Sequence, residues 1–379
     1  MHKANLNIRL IIIFAKKYAL GKKILLCPLN WGLGHATRCV PIINALTNQG
    51  HKVVVAADKG PLAFLQKAFP DLEFIEFPGF NPIYSKSNSQ VLKMILSFPR
   101  ALRAFHRDHK TVESIVKNHN IDIVISDNRF GCWSENVYTV FITHQLHIRA
   151  PKMLSWTTPI INMFNNSYIK KYDEVWIPDD EDTPSLAGKL SHPTIKRPRT
   201  SYLGYLSRFK ADYHEDTEKT NKYLVILSGP EPQRTIFEDI VLKQATTIKD
   251  NVLILRAKPD SNDFPDNVSD NVSMFNHVDD EMFVQLVNSA KNIICRGGYS
   301  TLMDLVRLNR SAYLVPTPGQ TEQEYLAKHL AKDGYFNWCK QSDFQLDNVT
   351  TPQISIKENF RDNESIIDDF IQIWTENLN

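Results

Sequence analysis

The feature that most constrains the fold is a regular alternation of short apolar segments with longer amphipathic ones. Between residues 23 and 177, segments of strand length recur with helix-length segments between them, and Ile121–Ser126 has apolar residues on both faces. Strands apolar on both faces form parallel sheets, and helices make the crossover connections. The same alternation begins again near residue 223 and continues to about residue 333. The sequence therefore predicts two α/β halves with a ligand cleft between them.

Composition marks the boundary between these halves. Residues 192–199 are rich in proline and basic side chains, and residues 211–220 are charged and polar. We therefore expect four parts, which are an N-terminal extension (1–20), a first domain (21–205), a second domain (206–355) and a C-terminal helix (356–379) that packs back on the first domain. A chain of 379 residues has the usual length for two domains.

Charge and cysteine content exclude several classes of protein. The 44 Lys and Arg nearly balance the 42 Asp and Glu, whereas a dedicated nucleic-acid-binding protein is usually far more basic. The five cysteines show no zinc-binding spacing, so we expect reduced thiols, no metal site and a cytoplasmic protein. No apolar run approaches the roughly 20 residues that span a bilayer.

The turn after the first strand carries the first candidate for chemistry. Residues 30–38 read NWGLGHATR, and Gly32 and Gly34 allow a sharp turn that brings backbone N–H groups close to a ligand. His35 lies in this turn, where a neutral imidazole can take a proton from a hydroxyl group. Asp127, at the end of a later strand, is the second candidate base. A purely structural turn explains the same residues.

Two turns of the second half have the form of phosphate-binding loops. Ser228 and Gly229 follow its first strand, with Arg234 at the start of the next helix, and this set can hold a pyrophosphate. A later turn contains Arg296, Gly297, Gly298, Ser300 and Thr301, followed by Asp304 one helical turn on. The Asp304 carboxylate can accept hydrogen bonds from two sugar hydroxyls, and Gln323 and Glu324 can bind hexose hydroxyls. Ordinary loops without a ligand are the alternative.

In this order, the segments GLGH (32–35), SG (228–229), RGGYST (296–301) and QTEQEY (320–325) resemble the two-domain glycosyltransferases of the GT-B fold. The likeness is strongest to family 28, which includes the lipid-linked N-acetylglucosaminyltransferase of peptidoglycan synthesis, and covers about residues 22–335. It implies two Rossmann-like domains facing each other across a cleft, and a cytoplasmic enzyme on the inner face of the membrane in bacterial cell-envelope or glycolipid synthesis.

The resemblance also assigns residues. The second domain would bind a UDP-sugar. Its diphosphate would lie among Ser228, Gly229, Gly297, Gly298, Ser300 and Thr301. Asp304 would bind the ribose, His277 and Val278 the base, and Gln320, Gln323 and Glu324 the donor sugar. Gly32, Gly34, His144 and Gln145 would line the acceptor side. Residues 143–146 read THQL, which differs from the peptidoglycan enzyme and indicates another acceptor.

These assignments predict an inverting reaction that needs no metal, because Arg234 or Arg296 and the helix starts would stabilise the leaving diphosphate. Residues 91–110 mix apolar and basic side chains, as do helices that dock on anionic lipid, although a core-facing helix with a solvated basic face has the same pattern. Two rival functions are a UDP-sugar epimerase or hydrolase on the same fold and a non-catalytic nucleotide-sugar sensor.

Overall fold

The computed structural model describes most of the chain, namely residues 21–80, 90–182, 184–192, 199–210, 221–229, 231–258, 261–266, 268–354, 356 and 364–378. The expected extension (1–20) and the polar segment 211–220 lie outside the described residues. Within the expected membrane-docking segment, side chains are described from residue 98 onward.

The first half is built on a sheet of seven parallel strands. These strands are β1 (Lys23–Pro28), β2 (Lys52–Ala57), β3 (Glu73–Glu76), β4 (Ile123–Asp127), β5 (Tyr138–Ile142), β6 (Glu174–Ile177) and β7 (Arg199–Tyr202). Their order across the sheet is β3-β2-β1-β4-β5-β6-β7. The helices of this half are α1 (Gly34–Asn48), α2 (Lys59–Ala68), α3 (Gln90–His119) and α4 (Thr158–Ile169), the last preceded by a 3-10 segment at Lys152–Thr157.

The second half repeats this design with six parallel strands. They are β8 (Asn221–Ile226), β9 (Val252–Leu255), β10 (Val272–Phe275), β11 (Ala290–Cys295), β12 (Tyr313–Leu314) and β13 (Asn337–Trp338). Their order is β10-β9-β8-β11-β12-β13. The helices of this half are α5 (Gln233–Ala245), α6 (Asp280–Ser289), α7 (Tyr299–Arg307) and α8 (Thr321–Lys332). The chain ends in α9 (Glu364–Glu376).

Helices cover both faces of the first sheet, which explains its strands of unbroken apolar character. Ile24 and Leu26 of β1 share a buried cluster with residues of α1, whereas Leu25 and Cys27 point into a cluster with residues of α3. In each sheet the order of strand addition reverses once, between the neighbouring strands β1 and β4 in the first sheet and between β8 and β11 in the second. Ligands of open α/β sheets bind at such switch points, beyond the carboxyl ends of the strands.

Four elements differ from what the sequence pattern indicates. The sequence pattern indicates a helix from about Arg38 onward, but helix α1 begins at Gly34, so His35 lies in its first turn. Helix α3 continues through Pro99 without a break. Strand β7 and helix α4 were not expected, because β7 is short and partly exposed at the sheet edge, and α4 leaves Ile160 and Met163 in solvent. No helix among the described residues is both long and apolar enough to cross a membrane.

The C-terminal helix α9 packs against the first half. Trp374 is 1% exposed, and its indole Nε1 donates to Glu174 Oε2 of β6 at 2.9 Å. Its ring meets Trp176 edge to face, with 4.9 Å between the centroids. A segment that follows the second sheet in sequence therefore completes the core of the first.

We expect Trp374→Ala to lower the free energy of unfolding by about 3–5 kcal/mol, because it leaves a large cavity in this core. Chemical denaturation measures the change. The matched control is Ile373→Ala, whose side chain is 60% exposed on the same helix and which should change stability by less than about 0.5 kcal/mol. Equal effects of the two substitutions would contradict the packing of α9 described here.

Candidate active site

His35, Arg38 and Asp127 form a buried cluster at the switch point of the first sheet. Asp127 ends β4, lies beside Pro28 of β1 and has no exposed side-chain surface. His35 and Arg38 are three residues apart in α1, so both side chains reach the same carboxylate. His35 Nδ1 lies 2.9 Å from Asp127 Oδ2, and Arg38 Nε donates to both carboxylate oxygens at 3.0 Å. Arg38 Nη2 also donates to Asp127 Oδ1.

The charges of this cluster set its protonation states. Burial alone would raise the pKa of Asp127, but Arg38 and His35 outweigh burial and lower that pKa to about 2. Burial and the charge of Arg38 lower the pKa of His35 below its ordinary value, although Asp127 acts in the opposite direction. The imidazole is therefore neutral near pH 7. With Nδ1–H directed at the carboxylate, Nε2 is the nitrogen that can accept a proton.

The second switch point gathers the expected diphosphate-binding residues. Ser228 and Gly229 follow β8, and Gly297 and Gly298 follow the neighbouring strand β11. Gly229 has a φ of +94°, a backbone conformation that residues other than glycine rarely adopt. Ser300 and Thr301 lie in the first turn of α7, where backbone N–H groups have no acceptor within the helix. The arrangement suits an anion.

The two switch points touch each other. Ser300 Oγ donates to the Gly34 carbonyl at 2.9 Å. A Cβ atom at Gly34 would lie 2.8 Å from Ser300 Oγ, so this approach requires glycine. Gly32, with a φ of +82°, makes the turn that leads into α1. The expected acceptor-side loop and the expected diphosphate loop therefore meet where the two halves join.

His144 and Gln145 make a second bridge between the halves. His144 Nε2 lies 2.6 Å from Glu322 Oε1 at the start of α8, and Gln145 Nε2 donates to Glu322 Oε2. Burial would raise the pKa of Glu322, but His144, His35 and Arg38 together outweigh burial and lower that pKa. The His144 ring also stacks on Tyr299, with 3.9 Å between centroids. His144 and Gln145, two of the four expected acceptor-side residues, thus contact the second half.

Arg38 and Glu322 were not among the site residues expected from the sequence. Arg38 follows His35 by three residues, and this spacing would have indicated one helical face had α1 been expected to start at Gly34. Glu322 lies inside the segment 320–325 that carries the resemblance, but the resemblance assigns Gln320, Gln323 and Glu324 to the donor instead. Both residues lie in or next to motifs that the sequence makes visible, but the sequence does not show which side chains of those motifs face the cleft.

The other expected sugar-binding residues fasten the loop before α8. Gln323 Oε1 accepts from Thr317 N at 2.9 Å, and Glu324 Oε1 accepts from Gly319 N at 3.3 Å. Gln320 is the residue that precedes the first turn of α8. Gln323 is buried, so its expected contact with a donor sugar remains a prediction.

The two expected diphosphate arginines are buried in protein contacts. Arg234 Nε donates to Glu231 at 2.7 Å, and its Nη1 donates to Glu238 at 3.2 Å. Arg296 donates to the carbonyls of Val315 and Gln233, and burial lowers its pKa to about 9. Both guanidinium groups hold loops together here. A contact with diphosphate would need these bonds to exchange, and it remains a prediction.

The expected nucleoside contacts lie elsewhere in the second half. Asp304, in α7, accepts from Ser207 Oγ at 2.6 Å, and Arg208 Nη1 lies 3.5 Å from its other oxygen. Burial raises the pKa of Asp304 to about 6 despite both partners. His277 is exposed in the loop before α6, and Val278 packs on the core. Among the described residues, no three His, Cys, Asp or Glu side chains could hold one metal ion.

We expect Asp304→Asn to stabilise the ligand-free protein at pH 7.5 by about 1–3 kcal/mol. A carboxyl whose pKa rises on folding loses stability as pH increases from its unfolded pKa, near 4, to its folded pKa of about 6. The gain should therefore vanish near pH 4, as denaturant titrations at the two pH values would show. Asp280→Asn is the control, since this exposed carboxylate also pairs with Arg208, at 2.7 Å. A gain that does not depend on pH would contradict the assignment.

Two family models match the sequence. Residues 22–173 match the model described as glycosyl transferase family 1, and residues 217–364 match the glycosyltransferase family 28 C-terminal domain. No curated protein matches the sequence.

Solved structures show the same fold over almost the whole chain. The glycotransferase of kitacinnamycin is 10% identical, with a TM-score of 0.61 and coverage of 93% of this chain and 94% of that one. MurG of Acinetobacter baumannii is 15% identical, with a TM-score of 0.53 and coverage of 93% and 99%. UGT89C1 of Arabidopsis thaliana, complexed with UDP-L-rhamnose, is 10% identical, with a TM-score of 0.56 and coverage of 94% of each chain.

The predicted pair of Rossmann-like halves is confirmed by the two parallel sheets and by these structures. The two family models fall on the two sheets in turn, and both describe glycosyltransferases. The protein is therefore a glycosyltransferase enzyme with the GT-B fold, and its second half matches the family 28 C-terminal domain.

Proposed function

We propose that this enzyme transfers a hexose or N-acetylhexosamine from a UDP-sugar to a hydroxyl group of a lipid-linked acceptor, with inversion at the anomeric carbon. One observation carries the proposal. The helix that bears His35 lies against the helix start that is suited to diphosphate, through the bond from Ser300 Oγ to the Gly34 carbonyl. A base and a leaving-group site are thereby brought together, as a displacement requires.

The donor site belongs to the second half. The first-turn N–H groups of α7 and the backbone at Gly229 and Gly297 would bind the diphosphate, with Ser228 and Thr301 adding hydroxyls. Asp304 would bind the ribose and His277 would lie near the base. The bound UDP-L-rhamnose of the Arabidopsis structure supports a uridine nucleotide, since that chain has the same fold.

The transfer step uses His35 as the base. The acceptor oxygen attacks the anomeric carbon from the face opposite the diphosphate, His35 Nε2 takes the hydroxyl proton, and the bond from carbon to the diphosphate oxygen breaks with its electron pair leaving on UDP. Asp127 stabilises the imidazolium that forms. Asp127 itself is a poor base, because it is fully buried and its pKa is about 2.

The charge on departing UDP would be stabilised by backbone N–H groups at the start of α7 and by the helix dipole. We propose that these groups serve in place of a metal ion. Full activity in the presence of EDTA is the expected result, and rescue by added Mg²⁺ or Mn²⁺ would contradict this part of the proposal.

We expect His35→Ala to lower kcat by about 100-fold or more while leaving UDP-sugar affinity within about twofold, because a general base acts on the acceptor alone. A thermal-shift panel of nucleotide-sugars identifies the donor, and transfer assays with candidate acceptors then measure the rate. His119→Ala is the control, since this partly exposed histidine ends α3 and pairs with Glu73, 2.7 Å away.

Several outcomes would contradict the proposed transfer. Rapid turnover of UDP-sugar without an acceptor would indicate an epimerase or hydrolase. Saturable binding without any product would indicate a sensor. An NMR spectrum that shows retention at the anomeric carbon would exclude single in-line displacement.

A lipid-linked acceptor is supported by an apolar and basic surface on α3, α4 and the 3-10 segment that precedes α4. Trp156, Ile160 and Met163 are 70%, 56% and 68% exposed and follow one another at helical spacing. Residues 149–172 contain no Asp or Glu, and the acid within residues 90–112, Asp108, is buried. Phe98 of α3 contacts Phe164 of α4 with 4.9 Å between centroids, so the two helices form one surface.

Exposed cations border this surface, namely Arg100, Arg103, Arg107, Lys170 and Lys171. Apolar side chains that enter the interface and cations that meet anionic headgroups are the two parts of peripheral membrane binding. We therefore propose that the enzyme works at the inner face of the cytoplasmic membrane.

We expect replacement of Arg100, Arg103 and Arg107 by Glu to abolish sedimentation with vesicles containing anionic lipid. Each cation near such a surface contributes about 1 kcal/mol. The matched control reverses the charges of Lys243, Lys249 and Lys291, which are exposed in the second half. Vesicle binding that survives the arginine substitutions would refute this docking surface, and equal loss in the control would make it a net-charge effect.

A further inference from the structure

Arg38 has no role in the proposed transfer step, although its guanidinium contacts Asp127, the partner of the proposed base His35. Its side chain is 2% exposed, and its guanidinium donates through Nε and Nη2 to the Asp127 carboxylate. Because α1 begins at Gly34, Arg38 lies one turn beyond His35 and approaches the carboxylate from the same helix. A buried arginine with such contacts either neutralises a charge or fixes an orientation.

A histidine paired with a buried carboxylate has two weaknesses as a base. The carboxylate favours the imidazolium, so the base tends to be already protonated, and a carboxylate held by one hydrogen bond can rotate. A guanidinium that donates two hydrogen bonds to the carboxylate removes both weaknesses. Its positive charge opposes protonation of the imidazole, and its planar fork holds the carboxylate in one orientation.

We propose that Arg38 is a positioning residue for the transfer reaction, which holds the Asp127 carboxylate in one ionised orientation and thereby keeps the His35 ring neutral and aligned for the acceptor hydroxyl. This inference rests on the proposed role of His35 as the base. Arg38 itself would touch neither substrate.

Other groups face this cluster from every side. Cys39 Sγ, on α1, lies 3.8 Å from Asp127 Oδ2. His144, from the loop after β5, disfavours the protonated form of His35. Glu322, from α8 of the second half, interacts with the charges of both His35 and Arg38. Tyr299 of α7 also interacts with Arg38. Arg38 differs from these groups because it alone pairs directly with both oxygens of Asp127 among the described residues.

The test measures the ionisation of His35 directly. In wild type the ring should titrate below its ordinary pKa of about 6.5, followed by NMR with the signal assigned by its loss in His35→Gln. In Arg38→Gln the midpoint should rise by about one unit or more, because a charge at this range shifts a pKa by one to three units. The acid limb of kcat/KM should move upward in pH by the same amount, while the donor KM stays constant.

Arg38→Lys separates charge from orientation and keeps the inference testable if Arg38→Gln does not fold. An ammonium group retains the charge but cannot form the planar fork. The His35 midpoint should therefore stay near the wild-type value while kcat falls at least about tenfold, because the ring is no longer aligned. An unchanged kcat in Arg38→Lys would overturn the orientation role.

The matched control is Arg129→Gln. Arg129 is also a buried arginine paired with an aspartate, with Nε 3.1 Å from Asp108 Oδ2, and it follows Asp127 by only two residues. It should destabilise the fold without moving the His35 midpoint. A midpoint that does not move in folded Arg38→Gln, or moves equally in Arg129→Gln, overturns the inference. If His35→Ala keeps its rate, the proposed base fails as well, whereas an inactive His35→Ala with an unmoved midpoint overturns the role of Arg38 alone.

Discussion

The structure depends on keeping one carboxylate ionised where water does not reach. Asp127 is fully buried at the end of β4, and an unpaired charge there would carry a large desolvation penalty. Arg38 compensates that charge and so ties the first helix, α1, to the central strand β4. The tie sets the position of Gly34, and Gly34 is where the second half makes contact. An electrostatic requirement inside one half therefore helps define how the halves meet.

The strands and the order of the loops could be predicted because they rest on local patterns. Apolar segments such as Ile24–Cys27 and Ile121–Ser126 indicate buried parallel strands wherever they pack, and glycines after strands indicate turns. The same locality explains the errors. Helix α1 has no side chain that caps its start, so nothing in the sequence indicated that it begins at Gly34. Strand β7 is polar because it lies at an edge, where one side meets solvent.

The direction of each charged side chain could not be predicted, because it depends on partners distant in sequence. Arg296 looks like an anion ligand next to Gly297 and Gly298, yet its acceptors are carbonyls of residues 233 and 315. Asp304 is held by Ser207 from the segment between the sheets. Glycines in a turn indicate its backbone geometry directly from the sequence. A guanidinium, in contrast, can donate to any acceptor that the fold brings near it, so its partners cannot be predicted from the neighbouring residues.

Contact between the two switch points has a chemical consequence. Neither half holds the whole proposed site, since the proposed base, His35, belongs to the first half and the helix start proposed to bind diphosphate belongs to the second. The hydrogen bond from Ser300 to Gly34 and the contact of Glu322 with His144 both join the two halves here. The Glu322 carboxylate also interacts with the charges of His35 and Arg38. When His35 gains a proton, the new positive charge faces Asp127 from its own half and Glu322 from the other. Contact between the halves would therefore favour the protonated His35 that the proposed transfer forms, and it would couple that contact to the transfer step.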